Sequence, residues 1–294
     1  MLEVRGLQKR YGARAVLDDV GFDVVEGRMT GFVGGNGAGK TTTMRIILGV
    51  LDADAGTVAL DGALLGGGDR RRFGYMPEER GLYPKMKLTE QLVYLARLHG
   101  FDAAGAKRNA DELIDQLGLG ERRDDEIEKL SLGNQQRAQI AAALVHRPEV
   151  LILDEPFSGL DPIAVDTVVG VLKDRALAGV PVLFSSHQLD IVERLCDDLV
   201  IIAGGTIRAS GSTASLREQH SGLRYELLGS ADAGWLREQP GIHVAEFDAG
   251  FAVFDADSEA AVQAVLREAV SRGDVLTFAR QQRSLAQIFT EVIQ

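Results

Sequence analysis

The stretch Gly34-Gly35-Asn36-Gly37-Ala38-Gly39-Lys40-Thr41-Thr42 decides how the chain is to be read. Gly34, Gly39, Lys40 and Thr41 satisfy the spacing G-x-x-x-x-G-K-[ST] of a Walker A loop. Its flanks suit the motif. Residues 28–33 (RMTGFV) form a short apolar run suited to a buried strand, and residues 43–48 (TMRIIL) have helical character before Gly49. Strand, glycine loop and helix in that order aim successive backbone N–H groups at a polyphosphate, with the helix dipole behind them. Lys40 is placed to reach the β- and γ-phosphates, and the Thr41 hydroxyl to ligate Mg2+. The bland alternative is a glycine-rich turn before an ordinary helix; four fixed positions in this context weigh against it. The stretch is a candidate nucleoside-triphosphate site.

Composition bounds the rest. A chain of 294 residues holds one large domain or two modest ones, and 45% hydrophobic content permits a substantial core. Lys plus Arg number 32 against 43 Asp plus Glu, a net charge of −11. That balance disfavours a general phosphate-backbone binder, so no nucleic acid is expected as a partner. The single Cys196 excludes an internal disulfide and fits a reducing compartment. The N-terminal MLEVRGLQKRYG lacks an apolar core of signal-peptide length, and no run approaches 18 apolar residues. The expectation is a soluble chain whose membrane role, if any, comes from docking onto another protein.

Residues 2–8 and 20–24 alternate as half-buried antiparallel strands do. Tyr11 stands between them, and by itself reads as a turn tyrosine packing on its own strand. Residues 52–56 read as a turn, and 56–60 and 72–76 as further short strands. From Pro77 the texture changes: residues 77–81 (PEERG) are a polar loop, and Thr89 is placed to cap a helix carrying Leu92, Leu95, Ala96 and His99 on one face. His99 reads as a helix-end residue rather than a ligand. Ala106, Ala110, Leu113, Ile114 and Leu117 repeat the helical spacing before Gly118. Residues 79–130 therefore read as a helical insertion in an α/β domain.

Next comes Leu130-Ser131-Leu132-Gly133-Asn134-Gln135-Gln136-Arg137, with apolar residues at helical spacing up to Pro148. Ser131 reads either as a plain N-cap or as part of a second phosphate-facing helix N-terminus. Residues 150–153 (VLIL) are a continuous apolar run, as in a parallel strand buried on both faces. The run ends in Asp154 and Glu155, at the strand end where α/β sheets bind ligands. Ser158 to Pro162 is a turn starting another helix. Residues 180–185 (VPVLFS) are a second buried strand leading to Ser186 and His187, and Gly204-Gly205 is a hairpin signal.

A boundary falls near Ser221. Beyond it the order reads βαββαβα, with a helix expected over residues 231–239, which suggests a small ferredoxin-like α+β module. No motif in it carries chemistry.

Residues 1–220 resemble the nucleotide-binding subunit of ABC transporters, most of all the ATPases serving multidrug, antibiotic, polysaccharide or sodium exporters. The motifs stand in the family's order: Walker A, the signature at 130–134, Walker B at 150–154 followed by Glu155, the D-loop at 158–161 and the switch His187. The fold implied is an α/β P-loop NTPase with an antiparallel β subdomain and a helical subdomain over about 79–147. Residues 221–294 are similar to an accessory domain often appended to this exporter group.

The resemblance implies ATP hydrolysis with ATP and Mg2+ as cofactors. Tyr11 would stack on adenine, and residues 34–42 would cradle the phosphates. Thr41, Glu78 and Asp154 would hold Mg2+. Glu155 would act as general base, with His187 and Lys40 at the γ-phosphate. Ser131, Gly133 and Asp161 would close over the ATP of a second subunit, so a head-to-tail dimer, expected to be a homodimer, sandwiches two nucleotides. A separate transmembrane permease would be the other partner, with the ATPase in the cytoplasm on the inner face of the membrane.

Three positions depart from the family pattern. The signature reads LSLGN where LSGGQ is usual, so Leu132 and Asn134 replace Gly and Gln, with Gln135 nearby. Glu78 stands at the Q-loop glutamine. Gly35 replaces a Pro, which loosens the turn. A rival from another class is a soluble ABC ATPase acting on ribosomes or DNA; such proteins usually carry paired ATPase units or long coiled coils, which this chain lacks. A P-loop GTPase would need an Asn-Lys-x-Asp guanine reader, and no such tetrapeptide occurs.

Overall fold

The computed structural model describes residues 1–66, 68–79, 81–281 and 283–293, and all structural statements below concern those residues. Arg80 of the polar loop lies outside them. The chain divides into two compact units, Met1–Thr213 and Ala214–Val292.

In the first unit, β1 (Leu2–Tyr11) and β2 (Arg14–Val24) form a hairpin whose alternating Leu2, Val4 and Leu7 face inward. β3 (Met29–Val33) is buried at every position and runs into the glycine loop and α1 (Lys40–Ile47). β4 (Ala55–Leu60) and the short β5 (Ala63–Leu64) complete an antiparallel sheet of order β2-β1-β4-β5. β6 (Phe73–Met76) follows, and then three helices: α2 (Leu88–Leu98), α3 (Ala103–Gln116) and α4 (Leu132–Leu144). β7 (Val150–Leu153), α5 (Pro162–Leu177), β8 (Val182–Ser186), α6 (Leu189–Leu195), β9 (Asp198–Ala203) and β10 (Thr206–Ser212) close the unit.

The second sheet has the order β10-β9-β3-β8-β7-β6, parallel throughout except for the β9–β10 hairpin. Its central strands β3, β7 and β8 are buried along their length because both faces are covered. α1 presents Met44, Ile46 and Ile47 to one core shared with the antiparallel sheet, where Phe22 and Phe32 lie 5.2 Å apart. This is the α/β architecture with an antiparallel β part and a helical part that the resemblance implied.

Thr89 does not cap α2. Lys87 occupies the N-cap and Thr89 lies in the first turn, where its hydroxyl donates to the Arg123 carbonyl at 2.8 Å. A threonine near a helix start goes to whichever carbonyl the tertiary fold offers. His99 is the C-cap of α2, its Nδ1 3.1 Å from the Arg71 carbonyl and its ring stacked on His146.

The second unit holds α7 (Thr213–Ser221), β11 (Arg224–Gly229), β12 (Ile242–Asp248), β13 (Phe251–Ala256), α8 (Glu259–Arg272), β14 (Val275–Arg280) and α9 (Leu285–Ile293). The sheet order β12-β13-β11-β14, antiparallel at each pairing, is the strand order of the ferredoxin-like split βαβ motif. The helix expected over residues 231–239 is only a five-residue 3-10 turn, Gly234–Glu238. Gly234 at its start and Pro240-Gly241 just beyond leave no room for a longer helix.

Candidate nucleotide-binding site

Four neighbouring parallel strands, β3, β8, β7 and β6, end on the same side of the sheet. Strands in a ladder lie about 4.8 Å apart, so residues just past those ends are brought together. The glycine loop leaves β3, Ser185 and His187 mark the end of β8, Asp154 and Glu155 that of β7, and Pro77 and Glu78 that of β6.

The glycines of the loop answer to sterics. A Cβ on Gly34 would lie 2.4 Å from the Ile202 carbonyl oxygen. Gly39, the N-cap of α1, has φ +114° and would place a Cβ 2.6 Å from Leu17 Cδ2. No side chain caps α1, so its leading N–H groups face the open side. Lys40 Nζ folds over the loop and donates to the carbonyls of Gly34 at 2.6 Å and Gly35 at 3.3 Å.

Asp154, 2% exposed, is held from two sides: Thr41 Oγ1 donates to one oxygen at 3.2 Å and Ser185 Oγ to the other at 2.5 Å. Ser185 Oγ in turn accepts from the Glu155 N–H at 2.9 Å. Glu155 Oε2 stands 2.9 Å from His187 Nδ1, which favours the tautomer protonated there. On β6, Tyr75 keeps its phenol protonated, because burial and then the Asp154 charge push its pKa up.

These groups surround one cavity of about 610 Å3 lined by Tyr11, residues 35–42, Glu78, Asp154, Glu155 and His187. Tyr11 is 54% exposed at the end of β1, with Lys9 Nζ 5.9 Å from its ring centre. Arg14 and Val16 of β2 also line the cavity and carry no motif that would have found them. Ser185 was equally missed, since a lone serine at a strand end has no local signature.

Ser131, Gly133 and Asp161 do not line this cavity. Ser131 is the N-cap of α4, accepting from the Asn134 N–H at 3.3 Å, and Asp161 caps α5 through the Ala164 N–H at 2.9 Å. The signature and D-loop residues adjoin instead: a Cβ on Gly133 would lie 3.5 Å from the Gly159 oxygen, an ordinary contact. Leu132, half exposed, packs against Gly159, and Asn134 accepts from Arg137 one turn along. Gln135 reaches back to the Leu130 carbonyl at 2.9 Å.

Fold and site together define a P-loop nucleotide-binding ATPase. The family described as ABC transporter matches residues 17–158, and the one described as ATP-binding protein DrrA1-3-like, C-terminal domain, matches residues 211–293. The chain is 35% identical over 293 residues to the ABC transporter ATP-binding protein YhaQ of Bacillus subtilis (strain 168), covering all of this chain and 98% of that one. It is also 35% identical over 219 residues to the linearmycin resistance ATP-binding protein LnrL of the same organism, covering 74% of this chain and 70% of LnrL. Among solved structures, an ATP-binding subunit of an ABC transporter superposes with a TM-score of 0.69 at 35% identity, over 74% of this chain and 92% of that one. The chain belongs to the ABC transporter ATP-binding proteins. Its activity is that of the family, ATP binding and hydrolysis.

Proposed function

We propose that residues 1–220 hydrolyse ATP in this cavity to drive a separate membrane permease, and that residues 221–294 are an accessory module. The observation that carries the reading is the convergence of Thr41, Asp154, Glu155 and His187 on one cavity floored by the glycine loop. Tyr11 stacks on the adenine. The N–H groups of residues 35–42 and the Lys40 ammonium hold the phosphates. Glu155 takes the proton of the attacking water, and His187 keeps base and γ-phosphate in line. Phosphoryl transfer rests on such positioning and charge neutralisation, with no covalent intermediate required.

The donors around Asp154 suit Mg2+. They are oxygens, the Thr41 hydroxyl and the carboxylates of Asp154 and Glu78, a hard set for a hard cation. Thr41, Asp154 and Glu78 would hold the ion, and nucleotide phosphates would supply further oxygen ligands. When bound, Mg2+ neutralises charge on the β- and γ-phosphates.

Ser131, Gly133 and Asp161 lie off the cavity, and among the described residues a Cβ on Gly133 would meet only ordinary contacts with Gly159 and Leu160. This supports a second copy as their target, in a head-to-tail homodimer whose signature residues close over the other copy's ATP. No helix of the described residues is long and apolar enough to cross a membrane. Membership among the ABC transporter ATP-binding proteins supports a separate permease as the transport path. A relative 36% identical over 219 residues, described as a Nod factor export ATP-binding protein, supports export as the direction.

Two measurements test the reading. Glu155→Gln keeps ATP binding and traps a stable dimer, while hydrolysis falls by roughly 10²–10⁴-fold, the scale of a general base. Affinity-tagged chain solubilised from membranes brings down a polytopic membrane protein; recovery with ribosomes or DNA instead would overturn the transport role.

A further inference from the structure

Glu155 has φ +51°, a left-handed backbone conformation that a glutamate seldom adopts. Such a residue persists only where its surroundings hold it. Two side chains from distant elements do so. On the N–H side, Ser185 Oγ accepts at 2.9 Å. On the carbonyl side, Gln136 of α4 donates from Nε2 to the Glu155 oxygen at 3.0 Å and to the Pro156 oxygen at 3.1 Å.

Gln136 is 6% exposed, so these contacts lie out of water. A glutamine amide carries two N–H donors, and two successive carbonyls take both. The Ser158 N–H also reaches the Glu155 oxygen, at 3.2 Å, but a single loop N–H does not tie that oxygen to another element. Removing Gln136 leaves the Pro156 oxygen without this donor and frees the peptide plane from which the Glu155 side chain springs.

Resting on the assignment of Glu155 as general base, we propose that Gln136 is a positioning residue for hydrolysis. It clamps the backbone of Glu155 and Pro156 so that the carboxylate stays opposite His187. Gln136 lies within two turns of Ser131 on the same helix. A shift of α4 as its N-terminus engages a nucleotide is thereby handed to the base.

The test is a double-mutant cycle read by single-turnover hydrolysis, with ATP affinity measured separately. Gln136→Met keeps the length of the side chain and removes both donors. It lowers the rate by about 10²-fold, the cost of an ångström-scale misplacement. ATP affinity stays within about threefold, because the change touches transition-state alignment and not binding. In the Glu155→Gln background the same substitution adds less than about threefold, since it acts through a base already lost. An equal loss in both backgrounds, an unchanged rate, or a parallel fall in ATP affinity would overturn the proposal and leave Gln136 a packing residue. If Gln136→Met does not accumulate as folded protein, Gln136→Asn, which keeps the amide one methylene too short, is put through the same cycle. Normal turnover in Glu155→Gln alone would instead remove the base assignment itself, so the two failures are told apart.

Discussion

His187 Nδ1 stands 2.9 Å from Glu155 Oε2, with the imidazole 61% exposed and the carboxylate only 10%. The ring thus covers a nearly dry carboxylate from the solvent side. The pair bridges the ends of two adjacent parallel strands, β7 and β8, and Ser185 ties the same strands one layer deeper. A carboxylate fixed on its backbone by Ser185 and Gln136 and at its tip by His187 has little freedom left.

Removing the imidazole should therefore affect turnover more than binding. His187→Ala is expected to lower kcat by about 10²-fold with ATP affinity nearly unchanged, as follows from the proposed role in which the ring orients the reacting groups rather than anchoring the nucleotide. Steady-state hydrolysis combined with a fluorescent-ATP titration checks this. A loss confined to affinity would place His187 outside the chemistry.

Tyr11 offers its exposed ring to the cavity from the end of β1. Aromatic stacking on a base is worth about 1–3 kcal/mol, so Tyr11→Ala should raise the ATP Kd by roughly 5–150-fold, with Tyr11→Phe close to the parent. Indistinguishable affinities for Tyr11→Ala and the parent would return Tyr11 to a tyrosine packing on its own strand.

Glu78 lines the cavity with Asp154. If it lends charge to the metal site, Glu78→Gln should raise the Mg2+ concentration for half-maximal hydrolysis by roughly tenfold, since affinity for hard cations follows the charge of the ligands. An unaltered midpoint in a Mg2+ titration leaves Glu78 no part in the site.

His146 has its pKa pushed from its ordinary value near 6.5 down to about 4, chiefly by burial and further by the His99 ring 3.8 Å away. Its Nε2 lies 3.1 Å from the Phe73 carbonyl. Between those two pH values the unfolded chain binds a proton that the fold refuses. The contribution to stability is full above about pH 6.5 and is lost as pH falls toward about 4. Thermal melts of the parent should drop more steeply over that window than those of His146→Phe, which lacks the titrating group. Parallel curves would show that the ring is not held neutral.

Much of the site was legible in the amino-acid order because backbone cradling of a polyphosphate demands local spacing. Gly34, Gly39, Lys40 and Thr41 lie within eight residues, and the apolar run of β7 announces Asp154 and Glu155 at its end. Continuous apolar runs likewise disclosed β3, β7 and β8, and helical spacing disclosed α2 and α3, whose buried faces repeat at fixed intervals. Cap choice was less readable: Thr89 bonds a carbonyl 34 residues away, and the short turn at Gly234–Glu238 stands where a helix was expected.

What only the tertiary structure decided is which strands are neighbours. β8 lies between β3 and β7, although it follows both in the chain, and that order alone sets Ser185 against Asp154 and His187 against Glu155. Arg14 and Val16 reach the cavity because the antiparallel sheet packs over α1. Gln136 meets Glu155 across 19 residues of chain. Local spacing encodes contacts along one helix or one loop. Contacts between elements depend on how apolar faces are buried together, a property of the whole core that no short stretch of this sequence contains.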